Sequence, residues 1–94
     1  MFIVTAKCIL IEGKTEQFKA IVETLIKETR KENGCISYNL YQDIKNQNIL
    51  TFFEKWKSKN SLDRHMETKH FKDIAPKLRE LQKEDSIVNI YNKI

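Results

Sequence analysis

The chain is poor in residues that break or cross-link a backbone. Its 94 residues include 2 glycines, 1 proline and 2 cysteines. So few glycines and prolines exclude collagen-like, Pro-rich and Gly/Ser-linker classes. Cys8 and Cys35 carry no CxxC spacing, so neither a disulfide framework nor a zinc site is expected. Both sit among apolar, strand-like neighbours and are expected to be reduced and inert. No apolar run approaches the ~18 residues of a membrane helix. The opening Met1-Phe2-Ile3-Val4-Thr5-Ala6-Lys7-Cys8 has no basic stretch ahead of an apolar core. A secretory signal is therefore not expected, and the cytoplasm is the expected compartment, with no membrane partner.

What is present suits one domain over residues 1–94, with 40% hydrophobic and 32% charged residues. Basic residues are concentrated in one segment. Residues 55–83 hold nine Lys/Arg against four Asp/Glu, a net +5, and the remainder is −1. Such a face could attract an anion, but Lys scattered over helices more simply makes a solvated surface.

The periodicity reads strand, helix, strand, strand, helices, strand. Over 2–11, Phe2, Val4, Ala6, Cys8 and Leu10 share one face, and Ile3, Thr5, Lys7, Ile9 and Ile11 the other. Both faces are greasy, so both are expected to be covered. A helix over about 14–32 has the stripe Phe18, Ile21, Val22, Leu25 and Ile26, and Asn33-Gly34 ends it. Strands over 35–43 and 49–57 flank a polar hairpin loop. The first has Ile36, Tyr38 and Leu40 on one face; the second has Leu50, Phe52, Glu54 and Trp56. Ser58 is placed to cap a short helix over about 59–68, with Leu62, His65 and Met66 inward. A second helix over about 71–83 contains Pro76, which can kink it or delay its start. A last strand covers 86–93.

The order βαββαβ predicts an α+β, ferredoxin-like antiparallel sheet with helices on one face. The helix-free face keeps Ile3, Ile9, Ile11, Ile49 and Phe53, which predicts a homodimer packed through it.

The residues that carry chemistry lie between 52 and 71. Glu54 shares a strand face with Phe52 and Trp56, and a carboxylate on such a face must be paired or wet. His65 follows on the inner side of the short helix. A helix folded back over the sheet brings His65 towards Glu54, a workable acid–base pair in which the carboxylate sets the tautomer. A satisfied core histidine is the plain alternative, and Trp56 alone reads as core or dimer interface more readily than as a substrate platform. His70 is five residues from His65, which is not the i, i+4 pairing of two ligands on one helical face. No acid or cysteine completes a set at recognisable spacing, so no metal is expected. GxGxxG, P-loop and GxSxG motifs are absent, so no nucleotide cofactor held by a familiar motif is expected. Leu50-Thr51-Phe52-Phe53-Glu54 lacks the basic-Gly-aromatic signature of an RNA-recognition motif, so nucleic acid is not an expected partner.

The ordered set Gly34-Cys35-Ile36-Ser37-Tyr38, Phe52-Phe53-Glu54-Lys55-Trp56, Leu62-Asp63-Arg64-His65 and His70-Phe71 resembles the antibiotic biosynthesis monooxygenase domain family, in its small quinol-monooxygenase-like branch. The resemblance implies a dimeric α/β barrel with one pocket per subunit. It also implies oxidation of a quinol-like or phenolic aromatic by O₂, without flavin, haem or metal. His65 and Glu54 match the catalytic positions. Tyr38, Phe52, Trp56, Met66, His70 and Phe71 would contact substrate. Phe52 stands where polyketide-oxidising relatives carry Asn, which argues against that substrate class. Ala6, His65 and Ala75 replace the Asn, Trp and His of haem-degrading relatives, which argues against haem degradation. Two other functions fit the same pattern: an isomerase of a small phosphorylated metabolite, and a non-enzymatic interaction or stress-response domain.

Overall fold

A computed structural model describes all 94 residues. The elements run β1 (Phe2–Ile9), α1 (Thr15–Thr29), β2 (Cys35–Gln42), β3 (Ile49–Trp56), α2 (Lys59–Glu67), α3 (Lys69–Glu80) and β4 (Ile87–Asn92). The four strands form one sheet in the order β2-β3-β1-β4, with every neighbouring pair antiparallel. This is the ferredoxin-like arrangement. No helix is long and apolar enough to cross a membrane.

Alternation decides what each strand contributes. Val4 and Cys8 from β1 and Leu50, Phe52 and Trp56 from β3 are buried on the helix side, with Leu10 just beyond β1. They meet Phe18, Val22 and Leu25 of α1, Leu62 of α2 and Leu78 of α3. The opposite face stays open in the single chain, with Phe53 45% exposed. Tyr41 stands edge-on against Phe53, ring centroids 5.3 Å apart.

Three details depart from the expected pattern. β2 has a register shift between Cys35 and Ser37. One extra residue there turns Cys35 inward and leaves Ile36 47% exposed, the usual effect of a bulge on alternation. The second helix starts at Lys69 rather than about 71, because the Thr68 side chain accepts from the Phe71 N–H and caps it. Pro76 stays inside that helix. It lies on the exposed side, where the carbonyl it leaves unpaired can face water.

Candidate active site

Register brings the first polar group into the core. Glu54 pairs with Tyr38 across β2–β3 and with Val4 across β1–β3, so its carboxyl stands in mid-sheet on the helix side. It is 6% exposed. One oxygen accepts from the Trp56 indole N–H at 3.0 Å. Burial is the main cause that pushes its pKa up, to about 7, against the lowering effect of the Trp56 bond.

The second group comes from α2. Ser58 caps this helix by accepting from the Ser61 N–H, and Leu62 and His65 face inward one turn apart. The His65 ring lies among Trp56, Phe71 and Tyr38, with centroids at 4.8, 4.9 and 5.5 Å. Thr68 donates to the His65 carbonyl at 2.7 Å, which fixes the end of α2 and the start of α3 together.

The acid that holds His65 is not Glu54. Glu54 is engaged by Trp56 on the sheet. His65 Nδ1 instead meets Glu32 Oε2 at 2.8 Å, and His70 Nε2 meets the same oxygen at 2.7 Å. Glu32 lies just beyond α1 and is delivered by the loop that follows. Gly34 makes that approach possible. Its φ is +97°, and a Cβ there would overlap the Ser61 side chain on α2. Only glycine combines that backbone angle with that contact.

A cavity of about 250 Å³ lies between sheet and helices, its walls including Ala6, Leu25, Tyr38, Phe52, Glu54, Leu62, His65, Met66, Phe71 and Val88. Four expected contacts, Tyr38, Phe52, Met66 and Phe71, therefore line it together with His65 and Glu54. Trp56 does not. It is fully buried behind His65 and acts on the site through Glu54. His70 also lies outside, in a surface groove with Glu28, Lys69 and Asp73. The only fully enclosed side-chain polar atom without a partner is Thr29 Oγ1. The free polar atoms of Glu54, Tyr38 and His65 are therefore not fully enclosed.

The electrostatics suit proton transfer. Burial lowers the His65 pKa, opposed by Glu32, so the imidazole is neutral at pH 7. With Nδ1–H donated to Glu32, Nε2 keeps its lone pair. Burial pushes the Tyr38 hydroxyl up, which leaves it a neutral hydrogen-bond donor. Burial also raises both thiols, Cys35 to about 11; neither is a nucleophile at neutral pH.

The family model for antibiotic biosynthesis monooxygenases matches residues 1–77. The chain belongs to this family. An uncharacterized Synechocystis protein is 37% identical over 78 residues, 83% of this chain and 53% of that protein. The chain thus spans about half the length of that relative. A Bacillus subtilis protein, YcnE, assigned by name to the monooxygenases, is 32% identical over 72% of each chain. A crystal structure of a conserved Methanosarcina mazei protein superposes with a TM-score of 0.96 at 42% identity, covering 99% of this chain and 92% of that one. Within this family frame, Glu32 is the site residue that sequence reasoning missed. It carried one signal, the glycine two residues on that lets its loop touch α2.

Proposed function

We propose that this chain is a monooxygenase that binds a small phenolic or quinol-type aromatic in the cavity and begins its reaction with O₂ by removing a phenolic proton. The observation that carries the reading is an imidazole at an apolar cavity, held at Nδ1 by Glu32 and without a hydrogen-bond partner at Nε2. Relatives named as monooxygenases support it.

The substrate hydroxyl gives its proton to His65 Nε2, and Glu32 stabilises the imidazolium through Nδ1–H. This is the division of labour between a base and its orienting carboxylate. The phenolate left behind is electron-rich and is itself the reductant of O₂. One oxygen atom ends on a ring carbon and the other leaves as water. One quinol and one O₂ then give one hydroxyquinone and one water, with all four electrons drawn from the substrate. Glu54, with a pKa of about 7, is poised to exchange a further proton with the ring or its second hydroxyl. The apolar walls exclude water from the anion.

The isomerase reading is less well served, because no Lys or Arg lines the cavity. Lys69 lies with His70 in the outer groove. The homodimer belongs to the same proposal, with Ile3, Ile9, Ile11, Ile49 and Phe53 as the contact that covers the open sheet face.

Oxygen uptake with a panel of quinols tests the function. The expected result is one O₂ per quinol, one ¹⁸O atom in the product from ¹⁸O₂, and a rate lowered ~10²–10⁴-fold in His65→Ala. Uptake no faster than in buffer across the panel, or an undiminished His65→Ala rate, overturns it.

A further inference from the structure

Three side chains of ligating type meet on the outer side of His65. Glu32 comes from the loop after α1, His65 from α2 and His70 from the first turn of α3. One donor atom from each can be chosen so that all lie within 4.8 Å of one another. Both imidazoles point a ring nitrogen at the same carboxylate oxygen, from 2.8 and 2.7 Å. Each ring carries a lone pair or a proton in that direction, so the two nitrogens already share one target point. We propose that Glu32, His65 and His70 form a binding site for a divalent transition-metal ion, Zn²⁺ above all.

The chemistry of the set favours this class of ion. Two imidazoles with one carboxylate suit zinc, cobalt or nickel, whereas calcium and magnesium seek oxygen ligands. Zinc–nitrogen bonds are roughly 2.0–2.1 Å, so an ion would sit near the present oxygen position and the carboxylate would draw back. The set has room for that shift. The His70 and Glu32 side chains are 20% and 11% exposed, while His65 is 3% exposed and fixed by its ring neighbours. One ligand is thus rigid and two can adjust.

An entry path exists that avoids the apolar cavity. Glu32 forms one wall of an open surface cleft with Asn33, Asp63, Arg64, Glu67 and Thr68. Asp63 and Glu67 there are already paired with Lys59 and Lys72, so Glu32 is the acid left to meet an incoming cation. Water from the cleft can fill the remaining coordination position. A metal on Nδ1 leaves the ring proton on Nε2, so an occupied site presents a donor to the cavity where the free site presents an acceptor.

Calorimetric titration of metal-free protein with ZnCl₂, without substrate, tests the site independently of the proposed function. The expected result is one Zn²⁺ per chain at micromolar affinity or better. It is weakened at least ~10-fold in Glu32→Gln and in His70→Ala, and retained in the Cys8→Ser/Cys35→Ser double variant. Co²⁺ should give visible d–d bands in the wild type and lose them in both ligand variants. Circular dichroism checks each fold, and His70→Gln replaces His70→Ala if the latter unfolds. No saturable binding, or binding unchanged in Glu32→Gln and His70→Ala, overturns the proposal.

Discussion

Glu54 is a carboxyl group held in the core by a single indole hydrogen bond, and its replacement by glutamine has a calculable consequence. Its pKa is raised from 4.5 to about 7, mainly by burial. A raised carboxyl pKa means that the folded state resists ionisation more than the unfolded state does. Below pH 4.5 the group is neutral in both states and costs nothing. Between 4.5 and about 7 the unfolded carboxyl ionises first, so the native state loses stability as pH rises. Above about 7 the full penalty applies, about 3 kcal/mol for this shift. Glutamine keeps the shape and an oxygen to accept from Trp56, and it cannot ionise. Glu54→Gln should therefore gain stability relative to the wild type as pH rises from 4 to 8. At ~4–8 °C per kcal/mol for a domain of this size, the gain in Tm at pH 8 is on the order of 10 °C. Thermal unfolding of both proteins across that range is the assay. It should use one protein concentration, because subunit association also moves Tm. A wild-type-minus-variant difference that is flat with pH, or that runs the other way, would refute a costly buried carboxylate at this position. The same substitution should slow catalysis, so stability and activity would move in opposite directions.

Three other perturbations follow from named contacts. In Glu32→Gln the amide can donate to Nδ1 and favour the wrong tautomer, so kcat should fall by ~10² or more with KM little changed; steady-state kinetics with an unchanged kcat would remove Glu32 from its orienting role. Gly34→Ala forces a side chain into φ +97° and against Ser61, and should cost about 2 kcal/mol or more in denaturant unfolding; an unaltered midpoint would show that the loop has other freedom. Phe53→Asp places a charge on the open sheet face and should convert a dimer to the 11.2 kDa chain in sedimentation; a wild type that already sediments as one chain at micromolar concentration would dismiss the dimer.

Much of the fold was legible because it rests on local periodicity. The inward sets of β1 and β3 and the stripe of α1 follow from alternation and from 3.6-residue spacing, and they reappear as the buried residues. The inward turn of His65 follows in the same way from its position one turn after Leu62. The bulge in β2 was not legible. Ile36 has the composition of a core residue, and nothing around it marks the extra residue that turns it outward. Trp56 was placed on the correct face, and its burial fits the core reading rather than the substrate contact that the family resemblance implied. Alternation says which side of the sheet a residue occupies, and says nothing about whether a helix will seal it there. Trp56 ends its strand beneath α2 and is sealed, while Phe52, four residues earlier, lines the cavity.

The partner of His65 shows where this kind of reading stops. Glu54 was the natural candidate, because a buried acid and a nearby imidazole ordinarily seek each other. The indole of Trp56, two residues along the same strand face, reaches Glu54 first. The orienting role passes to Glu32, which sits between Lys31 and Asn33 beyond the apolar stripe and reads as solvated helix end. Its function depends on the crossing of three segments. Gly34 lets the loop touch α2, and Thr68 binds the His65 carbonyl while starting α3, which brings His70 to the same oxygen. None of these is a spacing rule along the chain. Each, however, leaves a residue whose type is hard to replace, a positive-φ glycine and a threonine that closes one helix while opening the next. In a small ferredoxin-like domain, such residues at helix junctions are where a search for the charged partner of a buried histidine should begin.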